Sequence, residues 1–363
     1  MSQEEIRTLT GLRGVAAVAV MVDHLAKLEF DASFPLDMLP HMYLAVDMFM
    51  VLSGFILAMT YGERLGIVPS AAGWRVFLLR RIARLYPLYL LTTLVCFLLC
   101  RAGLLSFLDP DTSGPALLAN LLAVQTWAWP GSSLNGPGWA VSTEWFANGV
   151  FPLLLPLLLG RSAGLAALVC GVAMAGLVAS ALAFGQLFLV PSPGAVNIIS
   201  GPEALGRCVT EFAIGMYCWR LRSRSRWVEV LALDRVQVPL VVAMFVLMQW
   251  TETDTLFVAA CAVLILGLSF ERSTVSAVLR SAPVCFLGRI SYSIYLVHIT
   301  LLPLRDALAE RLAGMGPVQA WWSAVLCCAV LAIGLATLTR RFVETPGQRL
   351  VLSLASGGVR TAG

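Results

Sequence analysis

His24 and Arg13 stand eleven residues apart in one apolar segment, residues 9–28. At about 100° per residue a helix brings them back to within roughly 20° of one face, about 16 Å apart along its axis. One helix would then carry a guanidinium toward one end of a groove and an imidazole toward the other. Imidazole suits the removal of a proton from a hydroxyl near neutral pH, and a guanidinium suits phosphate. Each residue also has a plainer reading. Arg13 near a helix end can snorkel to the membrane surface, and His24 can be a structural histidine.

Two carboxylates extend the candidate acid–base set. Asp47 lies in Val46-Asp47-Met48-Phe49, and Glu144 follows Trp139-Ala140-Val141-Ser142-Thr143. Counted from the ends of their apolar segments, both are expected within ~10 Å of the same boundary as His24, where either would hold the imidazole in one tautomer. Asp23 points about 100° away from His24 and reads as structural or interfacial. Arg80, Arg81 and Arg84 precede Tyr86-Pro87 and open an apolar segment. Phosphate recognition accounts for that cluster, and so does topology. Arg220, Arg222, Arg224 and Arg226 alternate in what reads as an exposed loop. His298 either orients an acceptor or bonds across helices. Ser53, Trp139, Ser142 and Tyr292 are acceptor-side or structural candidates. His41, in a loop, is given no role. Glu211 is a buried carboxylate with no assigned partner, and Glu344 is expected to pair with arginines.

The elements that must position these groups are apolar. Of 363 residues 59% are hydrophobic and 13% charged, about half the charge of a soluble domain, so the chain cannot cover a water-facing surface. Lipid is the expected solvent. Ten candidate spans cover residues 9–28, 42–61, 84–102, 139–159, 163–185, 204–221, 237–251, 255–271, 284–304 and 319–339. Residues 116–129 are apolar but short, and read as interfacial or re-entrant. With both termini cytoplasmic, nearly all the arginines fall on inner loops and helix ends. The outer side receives Lys27, Arg101, Arg305 and Arg311, together with Asp109, Asp111, Glu252 and Asp254. The expected organisation is an all-α membrane bundle over 1–350, a short cytoplasmic tail over 351–363 and no fused soluble domain. The first segment, with Glu4, Glu5, Arg13, Asp23 and His24, reads as a retained helix rather than a cleaved signal. None of the nine cysteines forms a CxxC pair, so no disulfide framework and no metal site is expected. A net charge of +4 gives no indication of nucleic acid.

Six blocks together resemble the acyltransferase-3 family of integral membrane acyltransferases. They are Thr8-Leu9-Thr10-Gly11-Leu12-Arg13-Gly14 with ten residues separating Arg13 from His24, Asp47 to Phe55, Arg80 to Pro87, Trp139 to Phe146, Phe286 to His298, and Arg341-Phe342-Val343-Glu344-Thr345-Pro346. They occur in family order along nearly the whole chain. The resemblance implies a multi-pass enzyme of the bacterial inner membrane that moves an acyl group, often acetyl, from cytoplasmic acyl-CoA to an extracytoplasmic hydroxyl. Family acceptors are mainly glycan sugars and sometimes macrolides. The family's essential His and Arg carry over to His24 and Arg13, its arginine cluster to Arg81 and Arg84, and its Glu motif to Glu144. Acyl-CoA is then the donor substrate, with no permanently bound cofactor. The partners would be the glycan or other acceptor, the bilayer and glycan-assembly proteins.

On this reading the phosphates of acyl-CoA sit on Arg84, Arg81 and Arg13, and His24 is the general base. A covalent acyl-histidine is the other route. Two rivals come from other classes. A proton-coupled secondary transporter would use His24, Asp47 and Glu144 as a relay, though no internal repeat is evident. A lipid-binding scaffold would need no His24. Trp127, Trp129 and Trp139 would stack on a sugar or form an interfacial belt.

Overall fold

A computed structural model describes residues 5–26, 41–105, 110–128, 131–187 and 190–357. Lys27, Asp109, Trp129 and Arg360 lie outside the described residues. Apart from a two-residue antiparallel pairing of β1 (Gln186–Leu187) with β2 (Val190–Pro191), the regular structure among the described residues is helical. In chain order the first helices are α1 (Arg7–Ala26), α2 (Leu44–Leu65), α3 (Ala71–Arg101), α4 (Gly114–Leu121), α5 (Gly138–Leu158) and α6 (Ala163–Phe184). Then follow α7 (Gly201–Arg224), α8 (Asp234–Leu247), α9 (Asp254–Leu268), α10 (Thr274–Leu279), α11 (Ala282–Arg289), α12 (Ser291–Val297) and α13 (Leu302–Arg311). A last rod, α14 (Pro317–Thr339), passes through a π-helical turn at Arg340–Glu344 into α15 (Thr345–Gly357). That rod runs beyond residue 350, where a tail was expected.

Seven helices among the described residues are long and apolar enough to cross a membrane, and up to eight if α11 to α13, bent by 57° at Ile290, form one span. These account for eight of the ten expected segments. The other two are helical but fall short of that test. α8 has 14 residues, a reach of about 21 Å against a hydrocarbon core of about 30 Å. α7 is long enough, but it carries Glu203, Arg207, Glu211 and Arg220. Most of α7 is enclosed by other helices, so protein rather than lipid solvates its charges. α6 is the opposite case: apolar on every face, with only Ala166, Leu177 and Ala181 buried.

Local sequence explains two boundaries. α3 starts well before the expected residue 84, because Ser70 Oγ accepts the Gly73 N–H at 3.1 Å and caps it there. The cluster of Arg80, Arg81 and Arg84 therefore lies inside a 31-residue helix instead of opening one. α7 likewise continues to Arg224, so the expected exposed loop is partly helix. Arg220 and Arg224 bond carbonyls of Leu158, Leu159 and Gly160 at the end of α5. The 116–129 segment forms α4, eight residues and too short to span, followed by a buried polar loop. There Asn120 bonds the Ser132 carbonyl and the Leu134 N–H, and Gln125 bonds the Gly138 carbonyl. Irregular backbone enclosed this way keeps its polar groups satisfied.

The helices meet through backbone-close seams. A Cβ on Gly54 would lie 1.9 Å from the Phe212 carbonyl oxygen, and one on Gly215 would lie 1.9 Å from that of Val51, so α2 and α7 touch main chain to main chain. α1 and α11 do the same at Gly14 and Gly288. We expect Gly215→Val to destabilise the fold by on the order of 3 kcal/mol. Its thermal aggregation midpoint in detergent should fall, whereas Gly176→Ala, on an open face of α6, should leave that midpoint unchanged.

Candidate functional site

A cavity of about 140 Å³ lies between α1, α2, α3, α5 and α12. Its polar wall holds Arg13, Arg81, Arg84, Glu144, Ser291, Tyr292 and Tyr295; its apolar wall includes Phe49, Met50, Leu57 and Val141, with Ser53 beside them. Two of the three arginines are engaged. Arg81 Nη2 donates to Glu144 Oε1 at 2.6 Å, and its Nε to Asn148 Oδ1 at 3.1 Å. Arg84 pairs with Glu344, which also accepts from Ser293 Oγ at 2.9 Å, and its guanidinium faces the Tyr292 ring. Glu344 is the last residue of the π-helical turn, a local widening often found at functional sites. Arg13 makes no hydrogen bond or ion pair among the described residues. Its guanidinium faces the cavity within electrostatic reach of Glu144 and Arg81.

The histidine end is separate from this cavity. His298 Nε2 lies 3.1 Å from His24 Nδ1, and the two rings stack with centroids 5.1 Å apart. Tyr295 links the two regions: it lines the cavity, and its ring lies 6.1 Å from that of Phe49 and 6.2 Å from that of His298. The Tyr295 hydroxyl donates to the Pro137 carbonyl at 3.1 Å. Just past His24, the buried Arg305 donates to the Leu25 carbonyl at 3.0 Å and stacks on Trp321. It braces the last turn of α1, where a cation is favourable. Arg305, expected on the outer side, is buried against this turn.

The expected layer of His24, Asp47 and Glu144 is not what the fold assembles. Asp47 receives Arg207 Nε at 2.9 Å and Nη2 at 2.8 Å, a bidentate pair in which both side chains are buried. Glu211 lies 3.4 Å from the same guanidinium, and Trp139 stacks beneath it at 5.1 Å. The α2–α7 seam sets Asp47 opposite Arg207. Glu144 belongs with the arginines on α3, one turn before Asn148, which bonds Arg81 as well. The stretch before α5 is buried: Asn135 donates to the Leu296 carbonyl at 3.0 Å, so counting depth from the segment's end misplaces Glu144.

Other candidates scatter. Ser142 accepts from Thr126 Oγ1 at 2.7 Å and ties the buried loop to α5. Trp127 Nε1 donates to the Ser142 carbonyl. Ser53 and Tyr292 line the cavity. His41 is buried, 3.7 Å from Asp254, rather than in an open loop. Tyr43 bonds the same carboxylate, which also accepts the Val196 N–H at 3.0 Å. Asp254, expected in an outer loop, is thus buried at the head of α9. Arg207 was the residue sequence reasoning missed; its i,i+4 spacing to Glu211 was the available signal.

Long apolar helices around an interior of arginines, carboxylates and a histidine pair define a polytopic membrane protein with a charged internal cavity. The chain belongs to the acyltransferase-3 family, whose acyltransferase domain matches residues 6–341. Membership makes it a membrane acyltransferase. It is similar to acyltransferase MdmB of Streptomyces mycarofaciens, 28% identical over 391 aligned positions that cover 95% of this chain and 92% of that protein. It is also similar to protein 2 in the picA locus of Rhizobium radiobacter, 34% identical over 166 positions, 41% of this chain and 81% of that protein. No solved structure matches the chain.

Asp47→Ala would leave Arg207 buried beside Glu211 alone. We expect it to cost about 3–5 kcal/mol of stability. Adding Glu211→Gln to Asp47→Ala should deepen that loss in a thermal-unfolding double-mutant cycle, because Glu211 is the carboxylate that still offsets the Arg207 charge.

Proposed function

We propose that this protein is a membrane-bound O-acyltransferase of the bacterial inner membrane. It moves an acyl group, taken here as acetyl, from cytoplasmic acyl-CoA to a hydroxyl of an extracytoplasmic glycan or related acceptor. The reading carries ten spans with both termini cytoplasmic, α7 and α8 completing the count. The observation that supports it is α1 itself. This helix presents Arg13, unpaired among the described residues, to a cavity at one end and His24 at the other. An anionic donor would find its counter-charge on Arg13, with Arg81 and Arg84 held ready by Glu144 and Glu344. The thioester arm would follow the α1 groove past Phe49 and Tyr295 toward His24.

In the reaction His24 acts as general base. Its ring takes the proton of the acceptor hydroxyl while that oxygen attacks the acyl carbonyl carbon. The C–O ester bond forms, the C–S bond breaks, and the departing thiolate recovers the proton from His24. Ester and free thiol are the products, and no group is oxidised or reduced. Glu144 and Asp47 act through the arginines they hold rather than through the imidazole.

The test uses inverted membrane vesicles given radiolabelled acetyl-CoA. Wild-type protein should place label in glycan or another hydroxyl-bearing acceptor. His24→Ala should lose ~10²–10⁴-fold in rate. Arg13→Gln should chiefly raise KM for acetyl-CoA, by about ten- to a hundredfold, the loss of one charge-assisted contact. Equal labelling in all three would assign the activity to a different protein.

A further inference from the structure

We infer that His298 is a positioning residue for His24, holding it as the Nδ1–H tautomer so that Nε2 is the basic nitrogen. The inference rests on the proposed role of His24 as base. It follows from which atoms are able to donate. His298 Nδ1 lies 2.9 Å from the Ile294 carbonyl oxygen. A carbonyl oxygen only accepts, so this nitrogen carries the hydrogen, and in the neutral ring Nε2 holds only a lone pair. That lone pair faces His24 Nδ1 at 3.1 Å. Two lone pairs cannot bond, so the hydrogen sits on His24 Nδ1. The Val20 carbonyl, 3.1 Å from the same nitrogen, is again an acceptor and makes the same demand. Ile294 carbonyl, His298 and His24 thus form a directed chain that leaves Nε2 of the neutral His24 ring without a hydrogen.

The partner is built to hold still. His298 is fully buried, and it begins a short 3₁₀ turn, His298–Leu301, directly after α12. Its ring stacks on His24 at an interplanar angle of 30° and meets Tyr295 edge-on at 65°. Nothing in this arrangement has to move during transfer. When His24 Nε2 takes the hydroxyl proton, Nδ1–H still points at the His298 lone pair, which now faces a cation. When the proton passes to the leaving sulfur, the starting tautomer is restored. His298 neither gains nor loses a proton, as expected of a residue that acts through another.

The experiment compares wild-type protein with His24→Ala, His298→Leu and His298→Gln in the acetyl-transfer assay, each at matched folded amount. Glutamine can present a carbonyl oxygen where Nε2 stands, and leucine cannot. We expect His298→Leu to lower kcat about a hundredfold with KM for acetyl-CoA little changed, and His298→Gln to stay within about tenfold of wild type. A second readout needs no turnover. The chain has three histidines, so ¹⁵N spectra of histidine-labelled protein can be assigned by single substitution. His24 should be in the Nδ1–H form in wild type and in both forms in His298→Leu. Wild-type kcat in His298→Leu, with His24→Ala inactive, overturns the positioning role and leaves the base assignment intact. Full activity in His24→Ala overturns both. Equal loss in the Leu and Gln variants, or an Nε2–H form for His24 in the wild-type spectrum, overturns the inference as well.

Discussion

A charge enclosed by apolar helices must find its counter-charge inside the protein, and that constraint organises this molecule. An uncompensated ion in such surroundings costs several kcal/mol. The fold meets the cost by drawing one carboxylate to each of several arginines from a different helix. Glu144 on α5 meets Arg81 on α3, Glu344 after α14 meets Arg84 on α3, and Asp47 on α2 meets Arg207 on α7. Each pair is a long-range tie, so the charge pattern acts as a set of cross-links among helices that lipid alone would hold only loosely. Arg13 stands apart because it faces the cavity without such a partner among the described residues. A cation left in that state is stabilised most by an anion that arrives from outside, and the proposed binding of an anionic donor rests on that.

Close helix contact is what lets the ties form. The glycine seams bring α2 to α7 and α1 to α11 at main-chain distance, and the ion pairs sit on helices registered by those seams. The second seam matters for chemistry as well. α11 leads through the break at Ile290 into α12, so the element locked against α1 also delivers Tyr292, Tyr295 and His298. Arg13 and His24 are therefore faced by side chains of one broken helix at two depths. Arg305 braces the end of α1 beyond His24, so the turn that carries His24 is held on both sides.

The sequence made the helical, lipid-embedded class legible, because a chain this poor in charge has few other ways to fold. The α1 pattern was legible too. Helical geometry puts Arg13 and His24 on one side, and the fold does aim them at the cavity and at His298 respectively. Depth was not legible where the chain is irregular. Glu144 was assigned by counting from a presumed boundary, but the buried stretch before α5 starts that helix inside the protein. Partnership was legible only when local. Arg207 and Glu211 are one helical turn apart and could have been paired by inspection, whereas Asp47 with Arg207, and His24 with His298, join residues more than 150 positions apart. The π-helical turn that carries Glu344 leaves no mark in hydropathy, and neither does the burial of His41 against Asp254.

The choice of a histidine rather than a carboxylate beside His24 fits the same constraint. A carboxylate bonded to a base helps to stabilise the cation that forms, but at this depth it would itself require a counter-charge in the resting protein. The acids at the cavity, Glu144 and Glu344, each already hold an arginine. His298 supplies direction without adding a charge: its Nδ1 is spent on a carbonyl of its own helix, and its Nε2 offers one lone pair to one hydrogen. The resting pair is then neutral, with no penalty for a buried ion, and in the proposed reaction charge would develop on His24 only as the proton arrives. Stabilisation of that transient cation falls to nearby dipoles, including the Val20 carbonyl and the His298 lone pair. Both are fixed before the reaction starts, so they need not reorient while it proceeds.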